Sequence, residues 1–469
     1  MHRPSWSPVL ERACALAIEF LRGLPDRPVA PARGAGDLLA SFDRPMPDES
    51  ADPLAVIDEL ATLAGPGLTA MPSGRFFGWV IGGGLPAAIA ADWLTSAWDQ
   101  NAGSAEGTPA AAVVEQVALG WVAELLGLPA ASAVLVTGAQ MASFACLAAA
   151  RTAVLAGAGW DVERDGLVGG PPVRIAVGAE RHGTIDKALR MLGFGARALV
   201  AVEADRQGRM RAEALAAALD AGEGPVIVCA QAGNVNGGGF DPLPEIVAAV
   251  ERARRRSPVW LHLDGAFGLW ARVSSTRRHL AEGAERADSW ATDAHKWLNT
   301  PYDCGIAMTR HVEAHRRAMY GGATYLPDEH PDVRTPFIFA PELSRRARGF
   351  ALWAALRQLG RDGVARLVDD GCDLAARLAA GLSALPGVEV MNEVVLNQLV
   401  VRFSDPAGID DDRHTRAVLD RLVRSGECYP SSTIWRGVVA IRFSLSNWST
   451  DEDDVARTVA AVDRAHRES

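Results

Sequence analysis

Only two of the 47 lysine and arginine residues in this chain are lysine: Lys187, and Lys296 within ADSWATDAHKWLNTPYDCG. Arginine supplies positive charge almost anywhere, but an amine that sheds its proton and condenses with a carbonyl must be lysine. Each lysine here is either a residue left by a bias toward arginine or one kept for its chemistry. Lys296 follows the strand-like run DSWATD, with His295 directly before it, whereas Lys187 lies on a helix-like stretch with nothing to single it out. Thirty-two positions before Lys296, Asp264 ends another strand-like run, VWLHLD, and is followed by the small residues Gly265 and Ala266. An acid there either caps the next turn or holds a proton on a heterocyclic nitrogen, a role that needs a small neighbour so that a flat ring can approach.

Two further strand ends carry pointed residues. After SAVLVTG the small residues from Ala139 and Gln140 onward open a helix, whose free N–H groups and positive end could take an anion, although such junctions are common without any ligand. After VRIAVG, the stretch AERHGTIDKAL puts His182 at a helix start, where the imidazole stays neutral and either serves the fold or stacks on a flat ligand. A strand-end Asp followed by a strand-end Lys on the next strand is the arrangement that pyridoxal 5′-phosphate needs, with the lysine as Schiff-base amine and the acid beside the pyridinium.

These residues must be held by a sheet. From about 71 to 310, seven short apolar runs (SAVLVTG, VRIAVG, ARALVAVEAD, PVIVCAQAG, VWLHLDGAF, DSWATD and CGIAMTR) alternate with helix-like stretches. That pattern predicts an α/β domain with a mostly parallel seven-stranded sheet covered on both faces, with ligands outside the carboxyl ends of its strands. Residues 1 to about 70 read as helices joined by Pro-rich connections, an arm that packs on something else. Residues 311–469 read as a charged helix, a long loop from Gly321 to Pro341, a helix over 342–380 broken near Gly360, and a small α+β domain with an antiparallel sheet. The net charge of −10 disfavours nucleic acid as a partner. No apolar run reaches the ~20 residues of a membrane span, and no signal-peptide pattern opens the chain, so a cytoplasmic protein is expected. The six cysteines are scattered without a CxxC pair, which predicts reduced thiols and no metal site.

The ordered motifs SGRFFGWVIGGGLPAAIAADWL, TPAAAVVE, TGAQMAS, RHGTIDKA, GNVNGGGFDP, HLDGAF, DAHKWLN and IRFSLSN run through nearly the whole chain. Together they resemble the pyridoxal-phosphate group II amino acid decarboxylases, the family of the aromatic-L-amino-acid, glutamate and histidine enzymes. The resemblance implies a fold type I, aminotransferase-like large domain and a homodimer clasped by the N-terminal arm, with the active site at the interface. It implies that Lys296 forms the Schiff base, Asp264 pairs with the pyridine nitrogen, His182 stacks on the ring, and Ala266 packs on the opposite face. Ala139 and Gln140 match the phosphate-binding turn, where the family usually carries Ser or Thr. His295 is expected near the phosphate, and Asn234 and Thr292 beside the cofactor. Arg442 is expected to hold a substrate carboxylate, unless it is a surface arginine in an ion pair. Phe76, Phe77, Trp79 and Trp98, followed by Asp99 to Asn101, fall where the family builds its pocket and suit an aromatic or bulky apolar amino acid, though aromatic clusters are also ordinary core.

One departure bears on the outcome. Family decarboxylases usually carry a tyrosine on the loop after the lysine, which returns a proton to the α carbon. The matching stretch HPDVRTPFIFAPELSRR has none, and Tyr325 comes about ten residues too early. Alongside decarboxylation to an amine, the chain could therefore run oxidative decarboxylation to an aldehyde, transamination or C–C cleavage, or bind the cofactor without catalysis.

Overall fold

The computed structural model describes residues 5–320 and 332–469, so Tyr325 lies outside the described residues. Short runs rich in Val, Ile and Ala form the seven expected strands: β1 (Ser132–Val136), β2 (Arg174–Gly178), β3 (Leu199–Val202), β4 (Val226–Gln231), β5 (Val259–Asp264), β6 (Ser289–Asp293) and β7 (Gly305–Thr309). They make one sheet in the order β1-β7-β6-β5-β4-β2-β3. Only β7 runs antiparallel to its neighbours, β1 and β6. Along β4, Val226, Val228 and Ala230 join one apolar cluster while Ile227 and Cys229 join another, so alternation drives a core onto each face. That double cover is why these strands are apolar throughout.

Before the sheet come the arm helices α1 (Trp6–Arg22), α2 (Ala35–Phe42) and α3 (Pro53–Ala64), then α4 (Pro86–Trp98) and α5 (Pro109–Leu126). The helix that follows β1 is α6 (Ala139–Gly157). By length and composition α5 and α6 could each cross a membrane. Here α6 packs on β6 and β7, and α5 on the long helix Gly349–Ser383. That long helix turns at Gly360, whose φ of 62° only glycine adopts without cost. It begins at Gly349 rather than 342, because Arg345 donates its backbone N–H to Asn101 Oδ1 (2.8 Å) and Arg346 forms a bridge with Asn101, which keeps the segment extended.

The second sheet is wholly antiparallel, β10-β11-β9-β8, built from β8 (Val388–Val390), β9 (Gln398–Phe403), β10 (Ser431–Trp435) and β11 (Val438–Ser444). Strand β10 escaped the sequence reading. Its hairpin to β11 turns on Arg436 and Gly437, both at positive φ (53° and 82°), and an arginine in the first position hides the usual Asn-Gly signal. All six cysteines are free, and five are buried.

Candidate active site

Strands β5 and β6 run parallel and end in acids, Asp264 and Asp293, with Asp264 in register with Ala291. Beyond β6 the chain folds into a turn that carries His295 and Lys296. Asn299 fixes this turn: its Oδ1 accepts N–H groups from Gly83 (2.5 Å) and Trp448 (3.1 Å), and its Nδ2 donates to the carbonyls of Trp297 (2.7 Å) and Ser446 (3.0 Å). Gly82 packs against it so tightly that an added Cβ would lie 2.2 Å from the Lys296 carbonyl oxygen, which explains a run of glycines in this segment. Similarly, a Cβ on Gly305 would meet the Gly138 backbone at 2.4 Å, so glycine lets β7 lie against the turn that starts α6.

The Lys296 ammonium lies 2.7 Å from Asp293 Oδ2, while Asp293 Oδ1 accepts the backbone N–H of Ala139 at 2.6 Å. His295 Nδ1 accepts the N–H of Cys304 (3.1 Å), which leaves the proton on Nε2, 3.5 Å from Asp293 Oδ1. Burial holds His295 below the usual histidine range, against the pull of Asp293. The Tyr302 ring stacks on His295 with centroids 4.2 Å apart, and burial together with Asp293 keeps its phenol protonated well above the ordinary tyrosine value.

Asp264 is only 7% exposed. Its Oδ1 accepts the Ala266 N–H (3.2 Å), and among the described residues it makes no salt bridge. Burial raises its carboxyl above the usual range, opposed by His182 and Lys296. His182 caps the helix Gly183–Met191: its Nδ1 accepts from the Thr184 N–H (3.2 Å) and lies 2.7 Å from Thr184 Oγ1, so the ring is neutral with its proton on Nε2. Burial lowers its basicity, and the further influences are Asp264, Lys296, Arg442 and Asp293. One ring thus lies within electrostatic reach of every charged group expected at the site.

Arg442 on β11 is 8% exposed, and burial lowers its guanidinium to about 10. It donates to two backbone carbonyls, Val235 (2.6 Å) and Trp79 (3.3 Å), while its Nε has no acceptor. No carboxylate pairs with it among the described residues, so it is not a surface strand arginine in an ion pair. Beside it Trp79, Phe76 and Tyr429 form an aromatic group, Phe76 and Tyr429 stacked at 5.3 Å and Trp79 6.3 Å from Tyr429.

Of the other expected residues, some pack into the core or a loop and some border these groups. Phe77 is fully buried on Phe443 (6.0 Å) in the core of the small sheet, because an extended chain sends Phe76 and Phe77 to opposite sides. Asn234 is buried with its amide committed to the main chain, donating to the Glu180 carbonyl (2.9 Å) and accepting the Asn236 N–H (2.8 Å), so it shapes a loop. Thr292 is fully buried, and strand alternation turns it to the face opposite Asp293. Ala139 and Gln140 are the first two residues of α6, and Ala266 is partly open beside Asp264. Missed in the sequence were Asp293, Tyr302 and Tyr429. An acid at a strand end three residues before the lysine was the available signal for the first.

Among the described residues the site holds a buried carboxylate with no salt-bridge partner and a buried guanidinium with no carboxylate beside it, each of which costs free energy unless something pairs with it. A protonated ring nitrogen would satisfy Asp264 and an amino acid carboxylate Arg442, so these residues fit pyridoxal phosphate and its substrate. Residues 36–404 match the conserved domain of the pyridoxal-dependent decarboxylases. An aromatic-L-amino-acid decarboxylase of Bacillus atrophaeus is 26% identical over 96% of this chain and 93% of its own. An L-2,4-diaminobutyrate decarboxylase of Rhizobium meliloti is 31% identical over 81% of this chain and 75% of its own. In fold the chain is similar to a crystal structure of Oryza sativa TDC with PLP and tryptamine, with a TM-score of 0.91, 24% identity, and coverage of 100% of this chain and 99% of that one.

Proposed function

The chain belongs to the pyridoxal-dependent decarboxylases, a family of pyridoxal phosphate carboxy-lyases acting on amino acids, and on that premise we propose that it decarboxylates an aromatic or bulky apolar L-amino acid. Lys296 is the amine that carries the cofactor. Held there, pyridoxal phosphate would supply an electron sink for the bond broken at the α carbon. Asp264 would keep the ring nitrogen protonated, neutral His182 would offer a flat face to the ring, and Ala266 would leave room for it. Arg442 holds the substrate carboxylate and so selects the bond to be broken, with Trp79, Phe76 and Tyr429 as the wall for the side chain. The observation that carries this reading is the lysine on the turn after β6, next to the strand that ends in buried Asp264, together with a buried Arg442 whose Nε has no acceptor.

The same reading has residues 1–70 as a dimer clasp, 71–310 as the cofactor-binding domain and 311–469 as the connecting and small domain, in a homodimer. Five buried, free cysteines suit a reducing cytoplasm.

A second outcome is favoured by one observation: HPDVRTPFIFAPELSRR contains no phenol to return a proton to the α carbon. On the same scaffold the product would then be an aldehyde or a keto acid. The deciding experiment supplies the holoenzyme with a mixture of amino acids, with and without oxygen, and identifies consumed substrate and product by mass spectrometry, with Lys296→Ala as control. An amine supports decarboxylation, and aldehyde with peroxide supports the oxidative route. If wild type takes up no cofactor and consumes no amino acid, the reading fails.

A further inference from the structure

This inference rests on the reading that the cofactor phosphate sits at the start of α6. An anion site there should present free N–H groups, yet the first of them, on Ala139, is already given to Asp293 Oδ1 at 2.6 Å. The other oxygen of the same carboxylate takes the Lys296 ammonium at 2.7 Å, and His295 Nε2 lies 3.5 Å away. Asp293 is 2% exposed, so its charge is poorly screened by water. One buried carboxylate therefore holds both the positive helix end and the lysine that must reach the cofactor aldehyde.

We propose that Asp293 is a positioning residue whose carboxylate competes with the cofactor phosphate for the helix end. A phosphate at this helix end would lie beside a buried like charge that already holds the Ala139 N–H and the Lys296 ammonium, so capture of a phosphate-bearing ring is weakened while Lys296 is kept oriented. Asparagine has the same shape and keeps an oxygen for the Ala139 N–H, but it removes the charge.

The test is equilibrium titration of cofactor-free wild type, Asp293→Asn and Asp293→Ser, following tryptophan fluorescence, with pyridoxal phosphate and with pyridoxal as separate ligands. Thermal melts verify that each variant folds. Both variants should bind pyridoxal phosphate on the order of 10- to 100-fold more tightly than wild type, with pyridoxal affinity changed by less than about threefold. An equal gain for both ligands overturns the proposal, because Asp293 would then act through Lys296 alone. Unchanged or weaker binding of pyridoxal phosphate overturns it too, since the carboxylate would then be helping to hold the phosphate. A wild type that binds neither ligand removes the functional reading and this inference together. That result is distinct from a variant failing beside a competent wild type.

Discussion

At the scale of single residues, Arg442 separates stability from function most sharply. Its Nη atoms meet backbone carbonyls and its Nε has no acceptor among the described residues, so burying this cation brings the fold little return. Replacing a buried, unpaired charge with an apolar side chain of similar length is often neutral or stabilising. Arg442→Met should therefore melt within a few degrees of wild type while kcat/KM falls about 10- to 100-fold, the worth of a charge-assisted hydrogen bond to a carboxylate. Melting curves beside steady-state kinetics check it, and a large loss of stability with unchanged kinetics would count against a substrate-binding role. The sequence made the proposed cofactor residues stand out because each is chemically unusual where it stands: Lys296 among arginines, Asp264 before two small residues, His182 at a helix start. It failed where chemistry depends on direction. Phe76 and Phe77 are interchangeable as letters, and only the path of the backbone sends one to the aromatic group beside Arg442 and the other into the small-sheet core. Asp293 and Thr292 differ in the same way, being adjacent on one strand and facing opposite sides.

Among the elements, the seven strands of the large sheet could be read because burial on both faces leaves no polar phase to obscure them. The hairpin of β10 could not, because its turn hides behind Arg436. What joins elements is less legible still, since it depends on pairs distant in sequence. Arg345 ties the start of the long helix to α5 and β1: its guanidinium donates to Glu115 Oε1 (2.9 Å) and to the carbonyls of Leu135 (2.6 Å) and Ala102 (2.5 Å), all buried. Arg345→Met leaves Glu115 as a buried, uncompensated charge and should cost about 3–5 kcal/mol in urea unfolding, with Glu115→Gln added to it recovering part of the loss. In the small domain, the helices Asp411–Ser425 and Glu452–Arg467 meet through two histidines. His466 Nε2 donates to the Pro386 carbonyl (3.0 Å), so its Nδ1 accepts from His414 Nε2 at 2.8 Å, a pairing that requires a neutral His466. Burial, then His466, lowers His414 below its ordinary value, while Asp405 and Asp411 oppose the shift. A histidine depressed in the folded state contributes stability that is whole above its unfolded pKa, about 6.5, and is lost as the pH falls below that value. The melting temperature should therefore drop more steeply between pH 7 and 5 in wild type than in His414→Gln. Parallel curves would assign the acid sensitivity to other groups.

For the whole molecule, the arm is the part that a single chain does not explain. Helices α1, α2 and α3 contain no buried residue, and Leu39 and Leu60 are 65% and 52% exposed. Apolar surface costs about 25 cal/mol per Å² when left in water, so three helices that pack on one another yet bury no residue need a further surface to cover. The same shortage appears around the site, where Trp79 and Tyr302 are half-exposed in one chain. A second copy clasped by the arm would supply both needs at once, burying the arm and excluding water from a reaction that depends on unscreened charges. Wild type should then sediment at twice the chain mass of 49.7 kDa. Putting aspartate at both Leu39 and Leu60 should weaken the dimer by at least about 100-fold, since each change inserts a charge into an apolar interface. Because the site would lose its cover, the monomer that results should also release pyridoxal phosphate faster. If wild type sediments as a single chain and still turns over substrate, the clasp is wrong, and the exposed arm must serve a different partner.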